Sequence, residues 1–121
     1  MHVICIIDDD SSVRKAVANL LKSEGYQPVC FQSGESFLAS PWKNQAACLV
    51  LDLCMADMQG HDVQRSLNAL GYRVPVICMS AQASEQAIAA SMQAGAAQFI
   101  AKPFTAEVLL AALAGAVKDS I

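Results

Sequence analysis

The chain has 121 residues, 55% of them hydrophobic and 16% charged, with a formal net charge of -3, which suits one globular domain able to bury roughly two thirds of the surface its unfolded form exposes. No apolar stretch reaches the length of a membrane span, and Met1-His2 runs into a strand without a signal-peptide charge pattern, so no membrane contact and a cytoplasmic location are expected. The eight Lys and Arg are scattered rather than gathered in a stripe, which argues against direct nucleic acid binding by this chain.

Val3-Ile4-Cys5-Ile6-Ile7 is an uninterrupted buried-strand pattern that stops at Asp8-Asp9-Asp10. Val13, Val17, Leu20 and Leu21 then repeat at helical spacing, with Asp10 or Ser11 available as N-cap and Gly25 as terminator. Gln27 to Phe31 predicts a second strand, and Ser33 to Ser40 a short helix broken by Pro41. Ala47 to Asp52 is a third strand, apolar until its final carboxylate, and it leads into the loop Met55 to Gly60. His61 to Leu70 carries Val63, Leu67 and Leu70 on one helical face; Val74 to Met79 is a fourth strand, ending at Ser80. Ala83 to Ala94 predicts an Ala-rich helix closed by Gly95, Gln98 to Ala101 a short strand ending at Lys102-Pro103, and Thr105 to Lys118 a last helix. Strict alternation of this kind implies an α/β domain with a parallel sheet and helices on both faces, connected right-handedly.

Cysteines number five, with no Cys-x-x-Cys pair, and the reading is buried reduced thiols in strands rather than disulfides or zinc. Cys54 differs, since it stands two residues past Asp52, near the same crevice. Apart from Asp8, Asp9, Asp10 and Asp52 the chain is close to neutral, so its acidity belongs to one place.

Four of the five strand ends deliver a polar group: Asp8 and Asp9 from the first, Asp52 from the third, Ser80 from the fourth and Lys102 from the fifth. Taken singly, the aspartates read as caps or turn residues, Ser80 as a turn residue and Lys102 as a surface lysine. Taken together they mark the carboxyl edge of the sheet, where open α/β folds bind ligands. Three carboxylates there repel unless a cation joins them, and Mg²⁺ suits such a set because it takes one or two carboxylates, a carbonyl and waters. With Mg²⁺ and Lys102 neutralising the pocket, Asp52 becomes a nucleophile toward a phosphoryl group and Ser80 a hydroxyl donor to it.

These marks make the sequence resemble the receiver domain of bacterial two-component response regulators. The resemblance covers essentially the whole chain and rests on Ile6-Ile7-Asp8-Asp9-Asp10, Leu49-Val50-Leu51-Asp52-Leu53, Met55-Ala56-Asp57-Met58-Gln59-Gly60, Met79-Ser80-Ala81 and Phe99-Ile100-Ala101-Lys102-Pro103-Phe104. The general look is closest to receivers of nitrogen-fixation-type transcriptional regulators. The resemblance implies a flavodoxin-like (βα)5 sheet in the order 2-1-3-4-5. It implies that Asp52 is the phosphoacceptor, that Asp8, Asp9, Asp52 and the backbone carbonyl of Cys54 bind Mg²⁺, that Ser80 and Phe99 are switch residues, and that Lys102 joins a cis bond to Pro103. Two departures stand out: Ala56 replaces a frequent Pro, and Phe99 a frequent Tyr.

The implied function is acceptance of a phosphoryl group on Asp52 from a sensor histidine kinase or phosphotransfer protein, as one step of a phosphorelay and not as an enzyme acting on other molecules. From Ala81 to Val117 the only charged residues are Glu85, Lys102 and Glu107. The fourth helix, fifth strand and fifth helix are therefore expected to form a homodimer or dock an output domain by apolar contact. Val108, Leu109, Ala112, Leu113, Ala116 and Val117 are assigned to the core side of the last helix. Since Ile121 follows that helix directly, the expectation is a single receiver over residues 1–121, stand-alone or a fragment, with no output domain in this chain. The alternative is a receiver-like interaction module that works without phosphorylation. A haloacid-dehalogenase-type hydrolase needs a second Asp where Cys54 stands, and a flavin-binding protein would not place three aspartates after its first strand.

Overall fold

A computed structural model describes residues 2–54 and 60–119, the last two for their backbone alone. The elements are β1 (Val3–Ile7), α1 (Ser11–Ser23), β2 (Gln27–Phe31), α2 (Gly34–Leu38), a 3-10 turn (Pro41–Asn44), β3 (Cys48–Asp52), α3 (Gly60–Leu70), β4 (Val76–Ser80), α4 (Glu85–Gln93), β5 (Gln98–Ala101) and α5 (Ala106–Asp119). All strand pairs are parallel, in the order β2-β1-β3-β4-β5.

Period-two alternation divides the core into two layers. Ile4, Ile6, Val50, Ile77 and Met79 face Val17 and Leu21 of α1 and Leu109, Leu113 and Val117 of α5. Cys5, Ile7, Leu49, Leu51 and Cys78 face Phe37 of α2 and Val63 and Leu67 of α3. Both faces of β1, β3 and β4 are thus covered, which is why these strands read as continuous apolar runs. Each fully buried aliphatic or aromatic side chain contributes roughly 1.5–3 kcal/mol. That burial holds the central strands rigid, and with them the groups at their ends.

Local chemistry sets the boundaries. Asp10 caps α1 by accepting from Ser12 N at 2.9 Å, and Ser84 caps α4 by accepting from Ala87 N at 3.1 Å, so α4 starts at Glu85 and not at Ala83. The fourth strand begins at Val76, two residues later than its apolar pattern, because Pro75 has no N–H for the ladder. Its carbonyl still accepts from Leu49 N at 2.8 Å. Pro28 lies opposite Ile4 in the edge strand β2, where Gln27 N donates inward to His2 O at 2.9 Å.

Three expectations about burial change. Leu70 is 59% exposed and Val108 is 47% exposed, both turned from the core by the helical drift at the ends of their stripes. Cys30 is exposed because β2 is an edge strand, whereas Cys5, Cys48 and Cys78 are buried free thiols. Burial pushes Cys5 and Cys48 up to about 12 and Cys78 up to about 11, which keeps them inert as nucleophiles. Among the described residues no helix is long and apolar enough to cross a membrane.

Candidate functional site

The sheet brings Asp8, Asp52, Ser80 and Lys102 to one edge because β1, β3, β4 and β5 are parallel and in register: Ile7 pairs with Leu51, Asp52 with Met79, and Ser80 with Ala101. One oxygen from each of Asp8, Asp9 and Asp52 lies within 4.8 Å of the others. Asp8 is 0% exposed and Asp52 4%. Lys102 Nζ donates to Asp8 Oδ2 at 2.9 Å and stands 3.6 Å from Asp52 Oδ1. Its backbone N–H donates to Ser80 O at 2.9 Å, and the Lys102–Pro103 bond is cis.

The remaining lone pairs are shared out locally. Asp8 Oδ1 accepts from Asp10 N at 2.9 Å, and Asp52 Oδ1 accepts from Cys54 N at 3.2 Å. Arg14 Nη1 reaches back one turn of α1 to the Asp8 carbonyl at 2.6 Å, a fixing role that sequence reading did not assign. Ser80 Oγ accepts from Gln82 N at 3.0 Å and meets Cys54 Sγ at 3.6 Å, so the hydroxyl sits in the turn toward α4. Phe99 is half-buried against the α2/α3 layer. The loop with Ala56 lies outside the described residues.

Burial pushes the Asp52 carboxyl up from its ordinary range; the Cys54 N–H and Lys102 oppose this, while Asp8 and Asp9 add to it. For Lys102, burial works against the ammonium, but the hydrogen bond to Asp8 and the charges of Asp52 and Asp8 outweigh it and raise its pKa. The pocket therefore holds more negative charge than one lysine balances. An octahedral Mg²⁺ with bonds of about 2.0–2.1 Å places its ligand oxygens about 3–4 Å apart. The three carboxylate oxygens, within 4.8 Å of one another, come near that spacing, and a hard cation suits an all-oxygen donor set.

A stability experiment reads this imbalance. Because the folded-state pKa of Asp52 is raised, its ionised form destabilises the fold above that value, and the cost disappears as pH falls below the unfolded pKa of about 3.9. Asp52→Asn is expected to raise the melting midpoint by a few degrees at neutral pH in chelator, with the gain fading across the carboxylate range in acid. An unchanged or lower midpoint at neutral pH would mean that Lys102 alone balances the acids.

A family profile described as "Response regulator receiver domain" matches residues 4–114. The chain belongs to this family. The receiver is 40% identical over 116 residues to the response regulator protein TodT of Pseudomonas putida, covering 96% of this chain and 51% of that protein. It is 35% identical over 112 residues to the transcriptional regulatory protein FixJ of Rhizobium meliloti, covering 93% and 55%. The solved structure of FixJ-N overlays with a TM-score of 0.89 at 33% identity, covering 98% of the receiver and 94% of that chain. The receiver spans about half the length of the curated relatives it matches.

Proposed function

We propose that Asp52 accepts a phosphoryl group from the phosphohistidine of a sensor histidine kinase or phosphotransfer protein, and that the modified domain changes its α4/β5/α5 face to control dimerisation or an output domain. The observation that carries this reading is the convergence of three carboxylates and one ammonium at the strand ends. In the reaction, an Asp52 oxygen attacks phosphorus, the P–N bond breaks, and the histidine leaves with its electron pair. Asp8, Asp9, Asp52 and the Cys54 carbonyl would hold Mg²⁺, which when bound would supply charge to stabilise the transferring oxygens. Lys102 gives up Asp8 or Asp52 to meet the new phosphoryl oxygens, and Ser80 leaves Gln82 to donate its hydroxyl to one of them. Phe99 then moves into the space Ser80 has left.

A protein donor is supported by an apolar recess of about 570 Å³ beside Lys102, lined by Val13, Ala16, Leu20, Pro103, Phe104 and Leu109. Small phosphate esters have no use for such a rim. The output face is supported by exposed Ile88, Met92 and Val108 on α4 and α5. On this reading the domain is a cytoplasmic signalling device, not an enzyme for other substrates.

Incubation with acetyl phosphate and Mg²⁺, followed by intact-mass analysis, tests the chemistry. One phosphoryl increment is expected on the wild type, none in chelator, and a loss on the order of 10³-fold or more in Asp52→Asn, as when a nucleophile is removed from a working unit. No increment on the wild type, or one retained by Asp52→Asn, would overturn the assignment.

A further inference from the structure

Every polar group of Asp8 has a partner, and one of those partners comes from outside both the sheet and the acidic pocket. The Asp8 N–H donates to Phe31 O at 3.2 Å, Oδ1 accepts from Asp10 N at 2.9 Å, and Oδ2 accepts from Lys102 Nζ at 2.9 Å. The Asp8 carbonyl faces β2 as its N–H does, because both groups of one residue in a parallel strand point to the same side. There the ladder runs out. Ile7 with Phe31 is its last pair, and Ser33 has already turned to cap α2. Arg14 Nη1 takes the place of the next rung at 2.6 Å, so the carbonyl of a fully buried residue is met by a cationic side chain.

That carbonyl belongs to the Asp8–Asp9 peptide, which is planar, so fixing its direction fixes the direction in which the chain leaves Asp8. The consequence falls on Asp9. Asp8 and Asp52 are buried, and packing helps to hold their carboxylates. Asp9 is exposed, yet one of its oxygens lies within 4.8 Å of oxygens of the other two. A carboxylate in that position is aimed chiefly by the peptide that carries it.

We infer that Arg14 is a positioning residue for the cation site: by holding the Asp8–Asp9 peptide from behind, it aims Asp9 at the cation. This rests on the reading of Asp8, Asp9 and Asp52 as the acids that hold Mg²⁺. Removing a group that orients a metal ligand typically weakens affinity by tenfold or more. Charge alone gives the opposite sign. A guanidinium beside the site repels a divalent cation, so an Arg14 that acted only as a charge would tighten Mg²⁺ binding when removed. Lysine keeps that charge but replaces the planar fork with a compact ammonium, which separates the two roles.

Titration with magnesium chloride at fixed ionic strength, followed by amide chemical shifts, tests this. Arg14→Met is expected to bind Mg²⁺ about tenfold more weakly than the wild type, and Arg14→Lys to show a smaller loss. In an Asp9→Asn background, Arg14→Met is expected to weaken binding by less than about twofold further, because Asp9 is the route through which Arg14 acts. In chelator, the Asp10 amide, held by Asp8 Oδ1, is expected to exchange about tenfold faster in Arg14→Met while the amides of β3 stay as in the wild type. Unchanged or tighter Mg²⁺ binding in Arg14→Met, or a full loss that persists without the Asp9 carboxylate, would overturn the assignment. A wild type with no Mg²⁺ response would remove the metal reading, and unaltered Asp10 exchange in chelator would remove the hold of Arg14 on the turn.

Discussion

Lys102→Met is expected to cost about 3 kcal/mol of stability in chelator, near the scale for removing one partner of a buried ion pair. In a domain of this size that lowers the melting midpoint by about 10 °C. The reason is geometric: Asp8, fully buried, loses the ammonium 2.9 Å away, and Asp52 loses the same charge at 3.6 Å. The raised pKa of Lys102 means that its contribution is fully present below the unfolded lysine value and is lost only as pH rises through the folded one. The loss is therefore expected at neutral pH. Mg²⁺ in excess is expected to recover more stability in the variant than in the wild type, because it neutralises the same oxygens. Urea denaturation in chelator and in Mg²⁺ gives all four values. Equal costs in the two conditions would separate Lys102 from the acids proposed to hold Mg²⁺.

Gly60→Ala is expected to destabilise the domain by about 3 kcal/mol, at the upper end of overpacking costs. A Cβ at Gly60 would lie 2.6 Å from Leu53 Cδ2, 2.7 Å from Leu53 Cα and 2.8 Å from Asp52 O. Two of those three atoms are backbone and cannot rotate away. Alanine is favoured over glycine within a helix by about 1 kcal/mol, so the net sign shows which effect wins. The strain also falls on Asp52 itself, and acetyl phosphate uptake is expected to drop with stability. A chemical denaturation midpoint equal to the wild type would show that α3 can lift off the end of β3 freely.

Much of this fold was legible because β1, β3 and β4 are covered on both faces, and such strands leave unbroken apolar runs. The acidic site was legible for a related reason: Asp8 and Asp52 interrupt those runs at their last positions. What sequence could not supply was side-chain reach. Arg14 returns over the end of β1 only because α1 starts at Ser11, and nothing in its neighbours marks it. The burial of Gln64 on α3 and of Ser91 on α4 was missed because a polar residue on a helix looks solvent-facing until the opposite helix is in place. Val108 and Leu70 were misassigned by extending an apolar stripe to the helix end, where the surface curves away.

Pro28 has a consequence for how copies of this domain meet. In a parallel strand the N–H and C=O of one residue point to the same side, so with Gln27 donating inward the outward-facing positions of β2 are Pro28 and Cys30. Proline has no hydrogen to offer, which leaves a single donor along that border. Edge-to-edge extension of the sheet through β2, a route toward fibrils, is thereby opposed at its first rung, and of the two sheet borders only the one at β5 keeps a full set of donors.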